Sequence, residues 1–474
     1  MIVVKFGGTS LNGAARYRHV ARLLTGEIPL FANAAAHHLT LPVVVVSAQS
    51  GMTDALIAGA RAASLQDQAA YQQASDQFFQ RHLQTIQELF GGTRDFDPLL
   101  NTLQHANQQL DQLYGSISTL GELTLRTRDR VVAFGERLSA AIMAALLNSL
   151  GHPAEALDAA RLIVTDSHFG DAHPRMEITC PRVQAELGTR LQAGVIPVVT
   201  GYLGATEDGT PTTLGRSGSD YSAAILGACL QAEAVWIWSD VNGILTADPG
   251  LVPNARTLDE LTYTEARALA EYGADVLHPK TIQPLQENGI PLRLLNSFAP
   301  DHPGTCIIAG PGPHRQLFPA IITTTGLTLI SLNAGSAEDS LAWSARILLL
   351  LQDSGLDIPM FSQSFAERNL NLIIRRQDQT HCLQILENNL NGSTRLEVKE
   401  HIATISIVGF PGKHTNGIIP RAFEALGTSR ARLVAVAQAA SEHALSVCIP
   451  ERQVAETVTH LHASINQDLV LDRV

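Results

Sequence analysis

The chain has 474 residues, 45% of them hydrophobic and 16% charged, with a formal net charge of −12. That balance fits a soluble globular protein of about three domains by length, and the negative charge speaks against nucleic acid or an anionic membrane as main partner while leaving small anions open. No basic segment precedes an apolar stretch near Met1, and the longest apolar runs, such as residues 41–46, are too short for a bilayer; with five scattered cysteines (Cys180, Cys229, Cys306, Cys382, Cys448) read as buried thiols rather than a disulfide frame or zinc site, a cytoplasmic location is expected.

The first element is read as a strand, MIVVKF at residues 1–6, running into Gly7, Gly8, Thr9 and Ser10. Two readings fit. The strand ends in a tight turn, or the glycine amides and the Lys5 charge form a phosphate cradle. Further strand-like runs follow at 41–48, 194–204, 232–240 and 290–297, each ending in Gly, Ser, Asp or Asn. Helical periodicity follows several of them, as in residues 220–232 and 263–274. This alternation predicts an α/β fold over 1–310, a mainly parallel sheet sandwiched by helices. Ligands then sit beyond the carboxyl ends of the strands, where the glycine and hydroxyl clusters fall. Residues 60–125, rich in Gln, Ala and Leu, read as a helical insertion, a lid or interface, with a solvated decoration as the simpler account.

A Pro- and Gly-rich boundary falls near 300–320, and beyond it the sequence repeats. Residues 328–335 are echoed by 404–412 and residues 358–374 by 433–449, which aligns Gln363 with Gln438. Each copy reads as a βαββαβ unit, giving two small α+β modules at 320–398 and 399–474. Such a pair binds small ligands at a shared edge or serves as a structural dimerisation module.

Four stretches carry the chemistry: 5–10, 46–54, 213–224 and 238–250, with a fifth, 133–141, placing Glu136 and Arg137 before a helix. None matches GxxxxGK[ST] or the spaced GxGxxG, and no Ser–His–Asp or Cys–His arrangement stands out. Phosphoryl transfer needs positioning and charge neutralisation rather than a covalent nucleophile. Lys5 with the Gly7 and Gly8 amides suits phosphates, Arg216 suits a carboxylate held bidentately, and Ser219 can assist. Asp220 either holds lysine charge in place or is a first-turn acid favoured by the helix dipole.

Taken together, KFGGTS, VVVSAQSGMT, FGERLS, LGRSGSDYSAA, SDVNGILTADP, YGADVLHPKT and PGT stand in the order and spacing of the aspartokinases. The chain resembles that family from residue 1 to about 310 and on into a doubled tail similar to tandem ACT domains. The resemblance implies an ATP-dependent aspartate kinase, a phosphotransferase that gives 4-phospho-L-aspartate from the side-chain carboxylate of L-aspartate with Mg²⁺. This is the first step of lysine, threonine and methionine biosynthesis. It further implies that Lys5, Phe6, Gly7 and Gly8 cradle the ATP phosphates, with Lys5 and Asp220 catalytic. Ser239, Asp240, Leu245, Gly250, Asp275 and Val276 line the nucleotide side. Ser47, Thr53, Glu136, Arg216, Ser217, Gly218 and Ser219 bind aspartate, Glu136 taking the ammonium. Ser362, Gln363 and Gln438 are effector candidates for lysine or threonine, no metal ligands come from the protein, and a homodimer or larger homo-oligomer joins through the tail. No fused homoserine dehydrogenase is expected after the tail.

Three positions depart from the family pattern. Leu245 stands where an aromatic is usual, Gly250 replaces an arginine, and Asp275 replaces a lysine, with Lys280 nearby as a compensating cation. Two alternatives therefore stand beside the kinase: a catalytically weak paralogue sensing amino acids through its ACT domains, and a kinase for a related amino acid.

Overall fold

Short β-branched runs build the first sheet. The computed structural model describes residues 1–26, 41–273, 277–310, 319–334, 340–390, 394–409, 418–438 and 444–466. Its first ten strands are β1 (Ile2–Phe6), β2 (Val43–Val46), β3 (Ala154–Leu157), β4 (Ile196–Thr200), β5 (Leu203–Ala205), β6 (Pro211–Thr213), β7 (Ala234–Ser239), β8 (Glu260–Thr262), β9 (Leu292–Asn296) and β10 (Thr305–Ile308). Eight of them form one sheet in the order β3-β4-β2-β1-β7-β9-β10-β8, with β5 and β6 paired as a separate ribbon. All sheet pairings are parallel except β9 with β10. Central strands β1 and β2 are buried along their whole length, as expected of a sheet covered on both faces. The parallel sheet predicted from the alternation of strand and helix is therefore present.

The helices described along this stretch are α1 (Ala14–Leu24), α2 (Met52–Ser64), α3 (Gln68–Phe90), α4 (Phe96–Leu120), α5 (Leu125–Ser149), α6 (Met176–Gln192), α7 (Gly218–Leu230), α8 (Tyr263–Glu271) and α9 (Pro279–Asn288), and α8 from Thr264 on belongs to the second of the chain's two compact units. Helices α3 and α4 occupy the insertion and are no solvated decoration: Phe78, Phe90, Leu103, Leu110 and Tyr114 are buried in the same core as β1 and α1. Tyr114 Oη donates to the Leu56 carbonyl at 3.0 Å, and a Cβ at Gly59 would stand 2.6 Å from that hydroxyl, so glycine is what lets α4 close on α2. Their many glutamines face solvent, which is why the segment reads as polar. Helix α5 is long and apolar enough to cross a membrane, but 78% of its apolar window is buried in the core.

The cysteine expectation is corrected in part. Cys180 on α6 and Cys229 on α7 form a disulfide, because the two helices pack side by side and bring together residues 49 apart in sequence. Cys306, Cys382 and Cys448 are free thiols.

The chain divides into two compact units. The first holds Met1–Ile244, Asp259–Tyr263 and Leu277–Gly312; the second holds Leu245–Leu258, Thr264–Val276 and Pro313–Val474. The second unit contains β11 (Ala320–Asn333), α10 (Ser340–Asp353), β12 (Met360–Ser364), β13 (Asn369–Arg375), α11 (Gln379–Asn389), β14 (Arg395–Val408), α12 (Ile418–Thr428), β15 (Ala435–Gln438), β16 (Ala444–Pro450) and α13 (Val454–Asn466). One six-stranded antiparallel sheet runs β12-β13-β11-β14-β16-β15.

The repeat is visible in this sheet, but its halves interleave. Leu327–Asn333 of β11 pairs with β13, whereas Ala320–Thr324 of the same strand pairs with Thr404–Val408. The second module thus takes a strand from the start of the segment read as the first, 320–398. Two cores follow: Ile330, Trp343, Leu351, Leu372 and Leu386 in one half, and Ile321, Ile405, Leu426, Val447 and Leu461 in the other.

Candidate active site

Strand β1 delivers Lys5 to the carboxyl end of the sheet, where its neighbours β2 and β7 also end. Lys5 Nζ lies 2.6 Å from Asp220 Oδ1, and both side chains are largely shielded from water. Asp220 stands in the first turn of α7, where the positive helix end also favours a carboxylate. Its two roles read from sequence therefore coincide.

Gly7 donates its amide to the Trp238 carbonyl at 3.1 Å, and a Cβ there would lie 3.5 Å from Lys5 Nζ. Gly8 is held more tightly. A Cβ at that position would meet the Ala48 carbonyl at 2.7 Å and the Ser50 amide at 3.2 Å, while its own carbonyl accepts from Ser50 N. Phe6 is buried and stacks on Trp238 with ring centroids 6.0 Å apart. The Phe6 carbonyl accepts from Ser47 N at 3.2 Å. Phe6 shapes the floor through its ring and leaves the polar work to its neighbours.

Residues 47–53 form the adjoining wall. Ser47 is half-buried, and Thr53 lies in the first turn of α2 just after Gly51, whose φ of 72° lies in the left-handed region. Helix α5 crosses behind this loop, close enough that a Cβ on Gly135 would be 2.9 Å from Ala48 Cβ. The next residue, Glu136, is buried, accepts from the Ala48 amide, and keeps Oε2 without a hydrogen bond. Burial pushes its carboxyl up to about 8, against the opposing pull of the Ala48 amide and the Lys5 charge. An unpartnered carboxylate oxygen in a dry wall suits an ammonium that arrives with a ligand.

The remaining wall is the turn from β6 into α7. Ser217 adopts φ 54°, Gly218 packs against the Tyr202 ring, Ser219 is buried, and Arg216 stands exposed at the tip. Lys280 on α9 forms an ion pair with Asp171. The charges of Lys280, Asp171 and Arg216 all act on His278. Lys280, read from sequence as a cation that compensates Asp275, is thus engaged by Asp171 of the same unit.

Ser239 ends β7, and its carbonyl accepts from both the amide and the hydroxyl of Ser297 at 2.9 Å; Asp240 is exposed beside it. Leu245 and Gly250 belong to the second unit, where Leu245 bridges to Thr257 and Gly250 N donates to Asp248 Oδ1 at 2.8 Å. Asp275 and Val276 lie outside the described residues. In the ACT-like sheet, Gln363 on β12 donates to Ser344 Oγ at 2.7 Å, and Ser362 accepts from Asn371. Gln438 ends β15, the equivalent strand of the other half.

Two residues that sequence reasoning passed over complete the frame. Tyr17 donates to Ser139 Oγ at 3.0 Å and feels the Glu136 charge. Asp129, seven residues before Glu136 on α5, is fully buried and accepts three hydrogen bonds. Its seven-residue spacing from Glu136, two turns of one helix, was legible in sequence, and its burial was not.

Residues 1–296 match the amino acid kinase family, and residues 405–465 match the ACT domain. Aspartokinase 1 of Arabidopsis thaliana is 32% identical over 98% of this chain and 79% of its own length. The chain belongs to the aspartokinase family. A bifunctional aspartokinase/homoserine dehydrogenase of Haemophilus influenzae is 29% identical over 100% of this chain, which spans 57% of that relative's length. Among solved structures, E. coli aspartokinase III in complex with aspartate and ADP superposes with a TM-score of 0.82 at 25% identity, covering 98% of this chain and 99% of that one. The same enzyme in complex with lysine and aspartate gives 0.79, also at 25% identity. The chain thus has the aspartokinase fold and belongs to a phosphotransferase family, and Lys5, Glu136 and Asp220 lie within the residues that match the amino acid kinase family.

Proposed function

We propose that this chain transfers the γ-phosphoryl group of ATP to the side-chain carboxylate of L-aspartate. Glu136 carries the reading: a buried carboxylate with one oxygen unpartnered, beside the Lys5–Asp220 pair and the Gly7–Gly8 turn. In this scheme Glu136 takes the ammonium of aspartate, with Thr53 and Ser47 alongside. Arg216 and Ser219 hold carboxylate, the α7 amino terminus adding its dipole. Lys5, steered by Asp220, neutralises charge that builds on the transferring group. The aspartate carboxylate oxygen forms the new P–O bond as the bond to the ADP oxygen breaks, so no enzyme nucleophile is consumed. Ser239 and Asp240 border the nucleotide.

Mg²⁺ enters as the ion that accompanies ATP. Among the described residues no three His, Cys, Asp or Glu side chains are grouped to hold a metal, and no step is assigned through it. A role in lysine, threonine and methionine biosynthesis goes with the substrate. Lysine or threonine is proposed as effector at the ACT-like sheet near Gln363 and Gln438. Homodimerisation is proposed through the same sheet, supported by exposed Phe361 and Phe365 at its β12 edge; a monomer by light scattering at micromolar concentration would remove it. A cytoplasmic location rests on the three free thiols, and the Cys180–Cys229 bond argues the other way.

A hydroxylamine trap run with aspartate and a panel of other amino acids tests the substrate. Product with aspartate above all others is expected. Product with a different amino acid only, or with none, would replace this reading by one of its alternatives.

A further inference from the structure

We propose that Asp129 is a positioning residue that fixes the Arg216 turn relative to Glu136 and thereby sets the affinity for the amino-acid substrate. The inference rests on the aspartate kinase reading. Asp129 and Glu136 are seven residues apart on α5, two helical turns, which places them on one face about 10 Å apart along the axis. Asp129 is completely buried. Its Oδ2 accepts from Gly170 N at 2.8 Å and Thr213 N at 3.0 Å, and its Oδ1 accepts from Thr213 Oγ1 at 2.9 Å.

Those three bonds tie two otherwise separate segments to the helix. One is the loop around Gly170, which continues through Asp171 to the ion pair with Lys280. The other is the end of β6, and Ala172 N donates to the Thr213 carbonyl at 2.8 Å, so the two segments are also joined to each other. Thr213 precedes Arg216 by three residues. The chain between them can shift little, because Leu214 N is bonded to the Tyr202 carbonyl at 2.9 Å and Gly218 N to Gly215 O at 3.0 Å. One helix therefore acts as a ruler, with Glu136 at one mark and the root of the Arg216 turn at the other.

An α-amino acid offers its ammonium and carboxylates at fixed separation, so a ruler of this kind acts on its binding. On the phosphate side, the Gly7–Gly8 turn and the 47–52 loop take none of these three bonds, and Asp220 is carried by the first turn of α7 beyond the Arg216 turn. An amide can keep much of this clamp; an apolar side chain of similar size cannot. Asn can place its one oxygen where Oδ2 takes both N–H groups and aim its NH₂ at the Thr213 hydroxyl, which can accept, whereas Leu offers no acceptor at all. A buried acceptor set broken in this way loses its hold on the donors it served.

The test compares Asp129→Leu with Asp129→Asn, Thr213→Val and Thr213→Ser in the full chain, well below their melting temperatures. Asp129→Leu is expected to raise KM for aspartate about tenfold or more, with KM for ATP within about twofold, and Asp129→Asn should recover most of that loss. Thr213→Val, which removes one of the three bonds, should give a smaller rise, and Thr213→Ser should restore wild-type behaviour. Hydrogen exchange supplies a readout independent of turnover: the amides of Gly170 and Thr213 should exchange faster in Asp129→Leu while those of α5 around Glu136 keep their protection. A folded Asp129→Leu with unchanged aspartate KM, or with both KM values raised equally, overturns the proposal. If the wild-type chain itself does not turn over aspartate, the functional reading fails. Exchange then decides the clamp: unchanged protection at Gly170 and Thr213 overturns it as well.

Discussion

Lys5 and Asp220 come from elements 215 residues apart in sequence, yet their charged atoms stand 2.6 Å from each other in a site nearly closed to water. An acid that only stabilised the α7 dipole would have no need of this contact. Lys5 is thus held in one place before any phosphate arrives, which is what preorganised charge stabilisation requires. Removing one partner leaves the other charge buried alone, and that costs about 3–5 kcal/mol in enclosed pairs. Lys5→Met and Asp220→Asn should each lower stability, while the double variant should lose clearly less than their sum. A double-mutant cycle by urea unfolding measures this. Additive losses would mean that the pair is not coupled. Both single variants should lose turnover by at least about tenfold.

Glu136 gives the site a pH signature. Its carboxyl is raised from 4.5 to about 8 by burial. Between those values the folded chain keeps a proton that the unfolded chain has released, so this group's contribution makes stability fall as pH rises through the window. Glu136→Gln should be relatively more stable than wild type at pH 8 than at pH 5, in thermal or urea unfolding. The opposite trend in the difference would show that the carboxyl is not raised. Aspartate binding offers a second readout. At pH 7 the empty site holds mostly the neutral acid, and pairing with an ammonium requires the anion. Calorimetry in buffers of different ionisation enthalpy should show release approaching one proton per aspartate bound, falling toward none by about pH 9.

The Cys180–Cys229 bond joins α6 to the far end of the helix that begins with Ser219 and Asp220. Closing a loop of 49 residues constrains the unfolded chain by up to about 4 kcal/mol in the loop-entropy picture. Reduction should lower the melting temperature of wild type and leave Cys180→Ser unchanged. Alkylation of native chain followed by mass measurement should find three reactive thiols after unfolding. Five would show that the cysteines are unpaired.

Much of the kinase half was legible because its signals are local. Strand β1, Lys5 and the glycine pair are contiguous, and the alternation of apolar strands with helices determines a parallel sheet almost by itself. What stayed hidden depends on packing between distant segments. The glutamines of α3 and α4 advertise a solvated decoration, and only the burial of Phe78 and Tyr114 shows that the insertion completes the core. The disulfide has no spacing motif, since it needs α6 and α7 to lie side by side. The interleaved modules followed the repeat, but the repeat could not show that Ala320–Thr324 pairs with Thr404–Val408. Asp129 reads in sequence as one more charge in RTRDR, and its three partners come from Gly170 and Thr213. Leu245 and Gly250, taken from sequence as part of the nucleotide wall, fall in the second unit.

The central claim is that phosphate goes to the side-chain carboxylate of an aspartate whose ammonium Glu136 holds. Phosphorus NMR of the reaction with ATP and L-aspartate carrying ¹³C at the side-chain carboxyl tests it most directly. An acyl-phosphate signal split by the label is predicted, with no splitting when the label sits at the α-carboxyl and no signal from Glu136→Ala at the same aspartate concentration. Splitting from the α-carboxyl label, or ATP turnover with no acyl phosphate, would contradict the account.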